Sequence, residues 1–227
     1  MATVSAFGKG NLVRQFVIGV AALFLGLSTL PSAAQQARPV SIVALGDSLT
    51  AGYGLGPAEA FPVKLQAALR AKGHAVTVEN AGVSGDTSSG GLDRLDWAVG
   101  EGVDAVIVEL GANDALRGID PAVTRRNIDQ IVTRLKARGI TVLLSGMVAP
   151  PNMGSTFGAA FNPIFPDLAV RHGVLFDPFF LDGVAGDAGL NLGDGMHPNA
   201  RGVDVIVRRI LPKVEELIAQ VRSRRGG

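Results

Sequence analysis

There is no cysteine in this chain. That absence removes disulfides, thiolate metal sites, a cysteine nucleophile and a lipid-modified cysteine. Excess charge of either sign is also missing. The formal net charge over 227 residues is +1, and no cluster of lysine and arginine forms the stripe that nucleic-acid binding needs. The basic tail "RSRRGG", residues 222–227, is read as a solvated, frayed end. Histidine occurs only three times, so few imidazoles are available as bases or ligands. Repeats, low-complexity tracts and linkers are absent too. What remains, with 47% hydrophobic residues, is the composition of a soluble globular protein.

A long hydrophobic run is lacking as well. The run "FVIGVAALFLGLSTL", residues 16–30, is shorter than the roughly twenty residues of a membrane span. Lys9 and Arg14 precede it, and the small residues Ser32 and Ala34 follow. That order describes a secretory signal peptide, expected to be cut near Ala34; an uncleaved N-terminal anchor is the alternative. We therefore expect residues 1–34 to be a leader and residues 35–227 a single domain, exported to the periplasm or beyond. No acid lies in the leader, so its removal leaves a charge of −1.

From Arg38 onward, short apolar runs alternate with longer amphipathic ones. The short runs are 40–45, 75–80, 104–110, 140–146 and 174–178; they are rich in β-branched residues and nearly unbroken, as in strands covered on both faces. Between them apolar residues recur at helical spacing, for example Phe61, Leu65, Ala68 and Leu69, or Ile128, Ile131, Val132 and Leu135. Phe157, Phe161, Ile164, Phe165 and Leu168 form a further stripe, and a last one runs from Val203 to Val221. Gly73, Gly139 and Gly173 stand where helices should stop, while Pro166 and Pro212 predict a bend or break. The pattern predicts an α/β fold, a five-stranded parallel sheet with helices on both faces.

In such a sheet, functional groups gather beyond the carboxyl ends of the strands. Four polar segments belong on that rim: "GDSLTAG" after the first strand, "NAGVSGDTSSGG" after the second, "GANDALRG" after the third and "GDGMHPNARG" beyond the fifth. Ser48 lies in the first. A serine hydroxyl needs a base to become a nucleophile. His74 and His172 sit beside helix-ending glycines on the opposite rim and read as surface turn residues. His197 lies three residues after Asp194, where a tight turn brings carboxylate to imidazole and leaves the other ring nitrogen for Ser48. A helix-capping region at Asn199 is the structural alternative for that segment and is compatible with it.

Acyl transfer also needs donors for a developing oxyanion. The candidates are Ser48 N–H, an N–H from the loop after the second strand, where Gly85 lets the backbone approach a ligand, and the Asn113 side chain. Asn113 and Asp114 could equally form a simple turn. Asp194 and His197 alone cannot close a metal site. "GYGLGP", residues 52–57, matches a dinucleotide fingerprint only partly, and no phosphate loop or Gly-x-Ser-x-Gly elbow occurs.

The blocks "GDSL" (46–49), "SGDTS" (84–88), "GAND" (111–114) and "DGMHP" (194–198), in this order, resemble those of the SGNH (GDSL) hydrolases. Within that family the chain is most similar to the bacterial arylesterase and thioesterase I/lysophospholipase subgroup. The resemblance implies a flavodoxin-like sheet of order 2-1-3-4-5 and no cofactor; that no metal is expected follows from the ligand set above. It implies Ser48 as nucleophile, His197 as base, Asp194 as its orienting acid, and Ser48, Gly85 and Asn113 as the oxyanion hole. Ala112 departs from the pattern, since close relatives often carry a second glycine there.

Two loops, 146–161 and 177–193, are poor in charge and carry Met147, Met153, Phe157, Phe179 and Phe180. They suggest an apolar acyl or aryl pocket rather than a sugar groove, although these side chains would equally suit an ordinary core. The expected partner is a small ester or lipid-like molecule, with no obligate protein partner evident. Carbohydrate deacetylation is the rival within the family; a non-catalytic flavodoxin-like binding module is the rival outside it.

Overall fold

Five strands form one parallel sheet of order β2-β1-β3-β4-β5 in a computed structural model that describes residues 38–226. The expected leader, residues 1–34, lies outside the described residues. The strands are β1 (Val40–Gly46), β2 (Val76–Gly82), β3 (Ala105–Glu109), β4 (Thr141–Ser145) and β5 (Leu175–Asp177). Every residue of β3 and β4 is buried, which is why these runs read as nearly unbroken apolar stretches.

The register aligns the strand ends. Gly46 pairs with Gly82 on one side and Glu109 on the other, Glu109 with Ser145, and Ser145 with Asp177. Five chain segments therefore leave the sheet along one row. Its polar members Glu109, Ser145 and Asp177 are all buried.

The helices are α1 (Ser48–Ala51), α2 (Phe61–Ala71), α3 (Ser88–Asp93), α4 (Leu95–Ala98), α5 (Ala112–Leu116), α6 (Pro121–Ala137), α7 (Ser155–Phe161), α8 (Ile164–His172) and α9 (Ala200–Gly226). β1 connects to β2 in one direction across the sheet, and β3, β4 and β5 follow in the other. Right-handed crossovers thus place α2 on one face and α3, α6 and α8 on the opposite one. α9 returns to pack beside α2. The direction reverses between β1 and β3, and that crevice is where ligands of such sheets bind. Ser48 and Asn113 stand at its two sides.

The two prolines behave differently from expectation. The chain breaks at Asn162–Pro163, dividing the Phe157–Leu168 stripe between α7 and α8, and Pro166 sits in the first turn of α8. A first-turn residue has no helical partner for its N–H, so proline costs nothing there. α9 runs unbroken through Pro212. Arg208, whose carbonyl loses its partner, and Pro212 are both exposed, so water can satisfy the freed group.

His74 and His172 lie away from the carboxyl rim and are half-buried rather than free turn residues. His74 Nε2 is 2.9 Å from Glu215 and His172 Nε2 is 2.7 Å from Asp129. They tie helix ends to neighbouring helices.

Candidate active site

Ser48 is the first residue of α1, and Asp47 caps that helix by accepting the Leu49 N–H at 3.0 Å. The cap fixes the turn that lifts the Ser48 hydroxyl from the end of β1. His197 comes from the long loop between β5 and α9. Leu192 N–H donates to His197 C=O at 2.7 Å, and Asn199 caps α9 through Arg201 and Gly202 N–H at 3.0 Å each. Buried Asn191 donates to the carbonyls of Val184 and Asp187, so a glycine-rich loop is held at several points.

These contacts bring the Asp194–His197 turn to a serine 149 positions away in the chain. Asp194 Oδ2 is 2.6 Å from His197 Nδ1, and His197 Nε2 is 2.9 Å from Ser48 Oγ. Asp194 Oδ1 meanwhile accepts the N–H groups of Met196 and His197 at 2.9 and 3.0 Å. These backbone bonds, with the imidazole contact, hold the Asp194 carboxyl down at about 2. An ionised carboxylate can only accept, so Nδ1 carries the ring proton and Nε2 presents a lone pair to the serine hydroxyl.

Beyond Ser48, neither its own N–H nor that of Gly85 has a protein acceptor among the described residues. Gly85 has φ +84°, a left-handed conformation that favours glycine, and its carbonyl is held by Arg117 at 2.8 Å. Asn113 Nδ2 donates to Asp47 Oδ2 at 3.0 Å and to Asp86 O at 2.9 Å. Two acceptors on one amide settle which end is nitrogen.

Behind this surface lies a polar layer that sequence reasoning missed. Asp47 and Glu109 are fully buried. Glu109 accepts the Thr50 hydroxyl at 2.7 Å, and burial together with the Asp47 charge raises its carboxyl well above the usual range. Desolvation raises Asp47 to about 6 against the pull of its hydrogen bonds. Arg94 joins Asp86 to the Gly46 carbonyl at 2.5 and 2.8 Å. Asp114, in the same block as Asn113, accepts Ser88 N–H and the Ser88 and Thr124 hydroxyls, clamping the loop after β2 to α5 and α6. A charged residue at the end of the apolar run "DAVIVEL" was the available signal for Glu109.

A cavity of about 580 Å³ opens at the serine. Apart from Ser48, Asn113 and His197, every residue lining it is apolar or glycine. Of the five residues expected to line a pocket, Met147 and Phe179 do so. The other three do not. Phe180 is core, edge-on to Phe61 at 5.0 Å; Phe157 stacks on Phe161 at 5.6 Å; Met153 lies near Gly118. Leu116, Val148, Leu181, Ala185 and Met196 take their place, and single-residue patterning gave no sign of them. No group of three or more metal-ligating side chains occurs among the described residues.

A parallel sheet whose carboxyl rim joins serine, imidazole and carboxylate beside an apolar cavity is the arrangement of an acyl hydrolase. Residues 44–205 match the GDSL-like Lipase/Acylhydrolase family, and the chain belongs to that family. It is 37% identical over 190 residues to the arylesterase of Vibrio mimicus, covering 83% of this chain and 90% of that one. It is 36% identical over 197 residues to thioesterase 1/protease 1/lysophospholipase L1 of Escherichia coli K12, covering 86% and 91%. The crystal structure of AlinE4, an SGNH-hydrolase family esterase, superposes with a TM-score of 0.67 at 43% identity, covering 79% of this chain and 96% of that one. The chain is accordingly a carboxylic ester hydrolase.

Proposed function

We propose that the chain hydrolyses esters through a covalent acyl-enzyme on Ser48. The observation that carries this is the unbroken line from Asp194 through His197 to Ser48 at the mouth of the apolar cavity. His197 Nε2 takes the hydroxyl proton as Ser48 Oγ attacks the acyl carbonyl, and the imidazolium then protonates the leaving alcohol or thiol. Water enters, loses a proton to Nε2, and releases the acid. Asp194 holds the ring tautomer and stabilises the imidazolium. The oxyanion meets Ser48 N–H, Gly85 N–H and the Asn113 amide, which shares with it the proton now directed at Asp47.

The cavity supports an apolar acyl or aryl substrate, because its volume falls in the range of small-ligand sites and its lining offers no polar anchor beyond the reacting groups. Esters, thioesters and lysophospholipids share that requirement. A series of p-nitrophenyl esters tests it. Each added methylene buried is worth about 0.8 kcal/mol, so kcat/KM should rise roughly fourfold per methylene until the cavity is filled. A flat series, or faster release of acetate from an acetylated oligosaccharide, would point to carbohydrate deacetylation instead.

Export is part of the same proposal, supported by Lys9 and Arg14 ahead of the apolar run 16–30 and by small residues at 32 and 34. The intact mass of exported material should begin near residue 35; a mass that includes residues 1–34 would indicate an anchor.

A further inference from the structure

The segment "GYG", residues 52–54, follows the serine turn, and the chemistry above does not use it. Its conformation is nonetheless tightly set. Gly52 and Gly54 are both left-handed, at φ +84° and +74°. A Cβ on Gly52 would stand 2.7 Å from that of Ala60, and one on Gly54 would stand 2.7 Å from Leu192 Cδ1. The N–H groups of Gly52 and Tyr53 both donate to the carbonyl of Ser48, at 3.1 Å each. On its other side the loop meets Leu192, whose own N–H is bonded to the His197 carbonyl. Tyr53 is therefore placed by the backbone of Ser48 and by the loop that carries His197.

Its side chain lies against the imidazole. The Tyr53 and His197 rings have centroids 4.5 Å apart, tilted by 38°. Tyr53 is 53% exposed, does not line the cavity, and its hydroxyl makes no hydrogen bond among the described residues. An exposed aromatic in a turn that two left-handed glycines permit and the Ser48 carbonyl anchors, touching the one histidine at the site, calls for a reason. A ring face against a ring face is a restraint on orientation, with a preferred offset geometry.

In the free enzyme the imidazole has three restraints: Asp194 on Nδ1, Ser48 on Nε2 and Tyr53 on one face. Once Ser48 is acylated, Oγ has no proton to give, and the Nε2 restraint is gone. The imidazole then keeps the Asp194 bond on Nδ1 and the Tyr53 ring on one face. We propose that Tyr53 is a positioning residue for the second half-reaction, its ring keeping His197 aimed at the attacking water while Ser48 carries the acyl group. In that step a water proton passes to Nε2 as its oxygen bonds to the acyl carbon. The bond from that carbon to Oγ then breaks, and the proton returns from Nε2 to Oγ. The proposal rests on the acyl-enzyme reading of Ser48.

The test compares Tyr53→Leu and Tyr53→Phe with the unmodified chain, using p-nitrophenyl butyrate in stopped flow and the decay of acyl-enzyme by intact mass. For Tyr53→Leu the expected result is a burst near one equivalent and a kcat lowered about three- to tenfold, the span of an aromatic pair contact. KM should fall in step, leaving kcat/KM within about twofold, because acylation retains its Ser48 restraint. Tyr53→Phe should behave as the unmodified chain, since only the ring face is invoked. Three results would overturn the proposal: an unchanged kcat in Tyr53→Leu, an equal loss in kcat and kcat/KM without a burst, or a Phe variant as impaired as the Leu variant. A fluorophosphonate that labels Ser48 in all three proteins keeps these outcomes separate from the acyl-enzyme reading. Absence of label in the unmodified chain would remove that reading instead.

Discussion

Raising the pH from 5 to 8 should destabilise this protein, and the cause lies directly beneath Ser48. Burial raises the Asp47 carboxyl from 3.8 to about 6. A group that binds its proton more tightly when folded favours the folded state most at low pH, and that advantage is lost as pH climbs from the unfolded value through the folded one. A difference of about two pH units is worth about 3 kcal/mol in total, and roughly half of it is lost between pH 5 and 8. Glu109 is raised for the same reason and pushes in the same direction. Asp104, Asp194 and Glu215 are lowered by their partners, so what they contribute is lost only as the pH falls through the acid range. They are constant across this window. Urea unfolding at intervals from pH 5 to 8 measures the effect, with Asp47→Asn as the comparison. Asparagine keeps the shape and can still accept the Leu49 N–H; its amide nitrogen then faces that of Asn113, a cost that is the same at every pH and leaves the pH dependence readable. The difference between the two proteins should move by roughly 1–2 kcal/mol in favour of the variant as the pH rises. Parallel curves would show that Asp47 does not carry a raised carboxyl.

Three further substitutions probe separate parts of the site. Asn113→Ala should lower kcat on p-nitrophenyl esters by about 10²–10³ with little change in KM, the usual cost of losing one oxyanion donor; a loss below roughly tenfold would remove Asn113 from that role. Asp194→Asn keeps an acceptor for the Met196 and His197 N–H groups but unsettles the ring tautomer, and should cost up to about 10⁴ in kcat. A near-normal rate would make the carboxylate dispensable. Phe180→Ala should cost about 3–5 kcal/mol of stability by opening a cavity against Phe61, while the preference among acyl chain lengths stays as it was. A shifted preference would return Phe180 to the pocket.

Much of the fold was legible because its strands are covered on both faces. Val106, Ile107, Leu143 and Leu144 are all fully buried, and no alternation was needed to find their strands. Helix ends at Gly73, Gly139 and Gly173 were legible because left-handed backbone favours one residue type. The prolines misled because their effect depends on where a helix starts and which side faces water, which a stripe of apolar residues does not reveal. The serine, histidine and aspartate could be named because each follows a strand or sits in a compact turn. The pocket could not, since large apolar residues in a charge-poor loop are chosen alike by core and cavity. Phe179 lines the site and its neighbour Phe180 is buried in the core, a difference set by the turn after β5. Tyr53 and Glu109 were hidden for another reason: each acts on a residue far away in sequence.

Covalent labelling tests most directly whether His197 activates Ser48. After treatment with a fluorophosphonate, intact mass and peptide mapping should find one adduct per chain, on Ser48. Ser48→Ala should take up no label and hydrolyse no ester while unfolding with the same midpoint. Label on another residue, or ester hydrolysis by Ser48→Ala at the unmodified rate, would contradict the Asp194–His197–Ser48 mechanism.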